Sequence, residues 1–145
     1  MAAWGTALKA LIKWGPVVVA AGRKAWPYLK DNPAAQRFVQ SLAQQSSAIP
    51  ELLSPELRAR RKIEAVARSL AEAAVLGIEP TLYAAWRREL DELSRTVTIA
   101  KAASRSQRRH LLRRVERRLD QLVAEILPAL TQPAPPRPTL PPQAR

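Results

Sequence analysis

Cysteine is absent from the 145 residues, histidine occurs once and glycine four times, and aromatic residues make up 5%. Without cysteine there is no disulfide, no thiolate nucleophile and no cysteine metal site, and His110 alone cannot build a Cys/His zinc centre. A carboxylate metal site in a helical bundle places a Glu three residues before a His, but Gln107 stands there. No glycine-rich phosphate loop and no Gly-x-Ser-x-Gly elbow occurs. These gaps predict a protein with no catalysis, no cofactor and no small-molecule substrate.

Long apolar runs are missing as well. The uncharged stretch Trp14 to Gly22 contains Pro16 and is far shorter than the about 20 apolar residues a membrane-spanning helix needs. Lys9 and Lys13 before it and Ala20 and Ala21 after it give the outline of a secretory signal, but the run is too short and proline-broken for one. The expected location is the cytoplasm, free or on the membrane surface.

Acids are scarce: 12 Asp and Glu face 24 Lys and Arg, for a net charge of +12 and a pI near 11.4. Such a balance attracts polyanions and anionic lipid surfaces. The excess sits at the two ends, +5 over residues 1–50 and +6 over 104–145, while 51–76 carries +1 and 77–103 is neutral.

What remains is helix-forming. Alanine occurs 26 times and arginine 18 times, against 6 lysines. The composition divides the chain into an amphipathic Trp/Lys segment (1–30), a polar linker (31–53), a helical bundle (54–127) and a proline-rich disordered tail (128–145). Ser54, Pro55 and Glu56 read as N-cap, first-turn proline and dipole-matched acid, with Ile63, Val66, Leu70 and Ala73 on one face. Gly77 reads as the stop.

A second helix is expected from Pro80 or Thr81, with Leu82, Trp86, Leu90, Leu93, Val97 and Ala100 as its stripe. A third, from near Ser104 or Ser106, carries Leu112, Val115, Leu119, Leu122 and Ile126 and ends at Pro128. The fold class is therefore all-α: an antiparallel three-helix bundle over 54–127 that folds without the two ends. Glu64 with Arg68, Arg68 with Glu72, Arg87 with Asp91, Arg88 with Glu92, and Asp91 with Arg95 are expected as surface pairs. Trp86 reads as core and Tyr83 as core edge.

Three segments carry possible function. In residues 1–30 the contact set is Trp4, Leu8, Lys9, Leu11, Lys13, Trp14, Lys24 and Trp26, with apolar groups on one side of a helical wheel and lysines opposite. That distribution suits adsorption to anionic lipid, with Pro16 kinking or splitting the helix; the same apolar side could instead pack on the bundle. Through Met1 to Leu8 and Lys13, Trp14 and Gly15, this segment resembles the Trp- and Lys-rich leaderless bacteriocins of the aureocin type. The rest of the chain departs from that family, so the resemblance implies membrane affinity alone.

The second set opens the third helix: Arg105, Arg109, Arg113, Arg114, Arg117 and Arg118, with Arg108 between them. Same-sign residues four apart repel in isolation, and Glu116 and Asp120 relieve only part of this. The face can bind phosphates of nucleic acid or lipid, or be a solvated surface partly neutralised by Glu89, Asp91 and Glu92. Third, Pro133, Pro135, Pro136, Pro138, Pro141 and Pro142 with Arg137 read as an unfolded polyproline-type end. The expected function is docking on an anionic membrane surface or acidic protein partner. The alternatives are nonspecific nucleic-acid binding through the arginine helix and a structural role in a protein assembly.

Overall fold

The computed structural model describes residues 14–50 and 52–131. They form α1 (Pro16–Ala25), a 3-10 turn (Trp26–Asp31), α2 (Pro33–Ser47), α3 (Pro55–Val75), α4 (Pro80–Ala102) and α5 (Arg105–Thr131), with no strand among the described residues. Proline opens each of the first four helices, where its missing N–H is no loss and its fixed φ suits the first turn. Pro16 thus starts a helix rather than kinking one.

Caps fix the boundaries. Ser54 Oγ accepts from Leu57 N at 3.4 Å, and Gly77, with φ +117°, follows the end of α3 in a conformation that a side chain would strain. The Glu79 carboxylate accepts from the Thr81 hydroxyl (2.7 Å), Thr81 N (3.2 Å) and Leu82 N (3.0 Å). The Thr81 hydroxyl bond and the two backbone bonds hold its carboxyl below the usual range. α5 runs through Pro128 to Thr131 instead of stopping there. Pro128 is exposed, and the turn beyond it is held by the Thr131 hydroxyl, which donates to Leu127 O at 3.0 Å, and by Asn32 Nδ2, which donates to Thr131 O at 3.3 Å.

The bundle has more members than the expected three. Within 31–53, taken as a linker, Pro33–Ser47 is a helix packed along α3. Arg37 meets Glu72 and Ser41 meets Ser69, a pairing that fixes the two helices antiparallel. Arg108 reaches Ala100 and Arg118 reaches Glu89, so α4 and α5 are antiparallel too. α1 lies on α5 and runs with it, Gly15 against Asp120 and Asn32 against Thr131.

α5 touches every other helix, and the core is built around Leu119, Leu122, Ile126 and Leu127, all fully buried. Trp14, Val18, Phe38 and Leu42 join it from the N-terminal third, with Val66, Leu70 and Leu90 from α3 and α4. Trp86 is buried and Tyr83 half-buried, as core and core edge. None of the five expected pairs four residues apart closes to 4.0 Å; among the described residues Arg60 and Glu56 pair within α3 and Arg118 and Glu125 within α5, and the other ion pairs join helices, as in Arg37 to Glu72 and Arg118 to Glu89. Among the described residues no helix is long and apolar enough to cross a membrane.

Candidate polyanion-binding surface

The N-terminal contact set divides. Trp4, Leu8, Lys9, Leu11 and Lys13 lie outside the described residues. Trp14 is 1% exposed, its indole N–H donates to Ser46 Oγ at 2.6 Å, and Lys62 Nζ stands 5.2 Å from its ring centroid. It is a core residue, and that burial removes it from any surface contact. Val18, Ala25 and Leu29 are buried as well, so the bundle takes part of the apolar surface of residues 14–29, while Val17 and Tyr28 stay exposed. Lys24 is exposed, and Trp26 sits at the surface with 37% exposure.

The arginines divide differently. Arg105, Arg109, Arg113, Arg114 and Arg117 are exposed and make no ion pair among the described residues. Arg108 is structural: its guanidinium donates to Ala100 O (3.2 Å), which also accepts from Ala103 N, and to Lys101 O (3.0 Å) and Ala103 O (3.5 Å) at the end of α4. Arg118, expected as an anion contact, is held by Glu89 at 2.6 Å and Glu125 at 3.1 Å. Burial works against its charge, but the hydrogen bonds to those two carboxylates prevail and raise its pKa.

Beside the free arginines, the start of α3 contributes cations that the charge pattern of the sequence does not single out. A cleft of ≈ 500 Å³ between the two helices is lined by Ser54, Arg58, Arg105, Arg109, Leu112 and Arg113, among others. The run Arg58 to Lys62 is the signal in the sequence, but acids elsewhere in 51–76 bring that segment to only +1. Glu116 also lines the cleft, 3.5 Å from Arg58 Nε and 3.9 Å from Lys62 Nζ.

A second group of charges lies below Trp14. Asp120 is half-buried, its Oδ1 has no hydrogen-bond partner, and a Cβ on Gly15 would come within 3.4 Å of its Oδ2. Gly15 holds φ +105°, so glycine serves both the turn and the close approach. Burial pushes the Asp120 carboxyl up to about 6 from 3.8; Lys62 opposes this and Glu116 adds to it.

The folded state therefore holds this proton more tightly than the unfolded chain does, and the contribution of Asp120 to stability falls as pH rises from 3.8 to about 6. Asp120→Asn should raise stability at pH 7 by about 1 kcal/mol, a figure reduced for partial solvent screening, and gain nothing near pH 4. Thermal melts at both pH values check this; an equal or opposite shift at pH 7 would contradict the burial of the charge.

Among the described residues no group of three His, Cys, Asp or Glu could hold a metal ion. Comparison with protein-family models, curated proteins and solved structures gave no match.

Proposed function

We propose that this chain is a non-enzymatic docking protein that holds the phosphate backbone of nucleic acid, without reading its sequence, on the arginine face of α5. The observation that carries the reading is the set of five exposed arginines on one helix that make no ion pair among the described residues. From Arg105 to Arg117 they extend over about 18 Å at 1.5 Å per residue, enough to meet several phosphates. Arginine suits this task because its planar fork pairs two phosphate oxygens at once. No Phe, Trp or Tyr occurs between Arg105 and Arg118 to stack on bases, which favours backbone contact over base reading.

Duplexes of equal length and unrelated sequence should bind with affinities within about twofold of each other, measured by fluorescence anisotropy. A strong preference for one sequence would contradict the backbone reading.

A second reading, adsorption to an anionic membrane, is favoured by one feature. Leu52 is 99% exposed and Leu57 48% exposed, next to Arg58, Arg60 and Arg61, an apolar group set among cations. Cosedimentation with anionic but not neutral vesicles, abolished in Leu52→Ser/Leu57→Ser, would establish that reading; no cosedimentation would remove it.

A further inference from the structure

We propose that the cleft between the first turns of α3 and α5 is a pocket for a dianionic phosphate group, the terminal phosphomonoester of a nucleic-acid strand. This rests on the backbone reading above and adds to it a site with its own selectivity.

The cleft encloses ≈ 500 Å³, room for a phosphate and part of its sugar, and Leu112, 5% exposed, lies in its lining. Two acids also line it, and both are already engaged. Glu56 lies 4.0 Å from Arg60, and Glu116 lies between Arg58 and Lys62. Arg105, Arg109 and Arg113 have no such partner among the described residues, so the unbalanced charge of the cleft is positive.

Arg58, from the opposing helix, turns its buried Nε toward Glu116 Oε1 at 3.5 Å, an ion pair that does not close to a hydrogen bond among the described residues. The Arg58 side chain is 40% exposed and lines the cleft, so the other nitrogens of its guanidinium can donate to a ligand oxygen. Successive arginines on α5 are about 6 Å apart along the axis, so two neighbours can share one phosphate while the third takes the next phosphate of the strand.

The chemistry favours a monoester over a diester. A monoester carries about −1.5 to −2 charge at pH 7 with three terminal acceptor oxygens, whereas an internal phosphodiester carries a single charge. A pocket with guanidinium groups on two sides can use that additional charge and oxygen, whereas Arg114 and Arg117 do not line the cleft. The start of α3 at Pro55 places the positive end of a helix dipole at the same cleft.

Two DNA strands of identical sequence, one with a 5′-phosphate and one with a 5′-hydroxyl, test this with the full chain by anisotropy at fixed salt. The phosphorylated strand should bind about tenfold more tightly, the worth of one additional charge-assisted contact. Millimolar inorganic phosphate should erase the difference. Arg109→Gln/Arg113→Gln should abolish it, and Arg109→Lys/Arg113→Lys, which keeps charge but removes the fork, should reduce it. Arg114→Gln/Arg117→Gln should weaken both strands alike and preserve the ratio. Circular dichroism of each variant confirms that the fold is retained.

Equal binding of the two strands, with salt-dependent affinity intact, would overturn the pocket and leave the backbone reading standing. No binding of either strand would overturn both. Selective capture of vesicles containing phosphatidic acid, with the strands ignored, would assign the cleft to a lipid headgroup and overturn the strand-end proposal.

Discussion

A fragment of residues 54–131 is expected to lose the cooperative melt of the intact chain. The three apolar stripes of this fragment suggest an independent unit, but the structure spends two of its faces on the N-terminal third. α2 lies along α3 and α1 lies along α5, carrying Trp14, Val18, Leu29, Phe38, Val39 and Leu42 into the common core, each 3% exposed or less. Burial of one such side chain stabilises by about 1.5–3 kcal/mol, so the six together contribute roughly 9–18 kcal/mol before ordering costs. A domain is stable by about 5–15 kcal/mol in total. Their loss is therefore of the same size as the whole.

The fragment should show a broad, noncooperative thermal transition by circular dichroism and should bind a hydrophobic dye. A sharp melt near that of the full chain would mean that α1 and α2 are peripheral. A point substitution tests the same packing: Phe38→Ala in the full chain should cost about 3–5 kcal/mol, read from denaturant unfolding.

The second large effect is on binding. Replacing Arg109, Arg113 and Arg117 with glutamine removes three cations that make no ion pair among the described residues, so the fold should be kept. Stability should rise by only a few tenths of a kcal/mol as same-sign neighbours four apart disappear. Affinity for duplex DNA should fall much further. If each arginine neutralises one phosphate, removing three at about 0.1 M salt weakens binding by roughly 500-fold, because each phosphate neutralised adds about 0.9 to the exponent of the salt term. Unaltered affinity in a correctly folded variant would reduce the arginine face to a solvated surface. Arg118→Gln, by contrast, should act on stability, since Glu89 and Glu125 hold that side chain.

The sequence revealed the parts of the fold whose signals are local. Ser54, Gly77 and Pro80 mark boundaries through backbone chemistry that no distant residue alters, and the expected stripe of α4 is buried from Trp86 to Ala100, with Leu82 at its start 42% exposed. α2 stayed hidden because much of its buried side is small or polar: Ala34, Ala35, Ser41, Ala43 and Ser46 give little apolar contrast beside Phe38 and Leu42. Those small residues suit close helix contact, and Ser41 accepts from the Ser69 hydroxyl at 3.1 Å across the α2–α3 interface. Pro128 misled for a different reason. A proline ends a helix when nothing else holds the next turn, and here Asn32, remote in sequence, binds the carbonyl of Thr131.

The candidate surface was legible as a cluster and illegible as a set of roles. The crowding of arginine from 105 to 118 is plain in the sequence. That Arg108 would cap α4 and Arg118 would bind Glu89 depends on how α4 and α5 lie against each other. The contribution of Arg58 depends in the same way on α3 lying beside α5. Trp14 shows the limit of the amphipathic pattern: a face made of tryptophan and valine suits a lipid surface or a protein core equally, and Ser46 and Lys62 receive it in the core.

The central claim is that free arginines on α5 bind phosphate by displacing counterions, and the salt dependence of duplex binding tests it most directly. The full chain and Arg109→Gln/Arg113→Gln/Arg117→Gln should be titrated against one duplex at several salt concentrations, and log affinity plotted against log salt. Both plots should be linear, with the variant's slope shallower by about 2.7, which is about 0.9 for each phosphate no longer neutralised. Superimposable slopes, or binding by the full chain that does not change with salt, would contradict the claim.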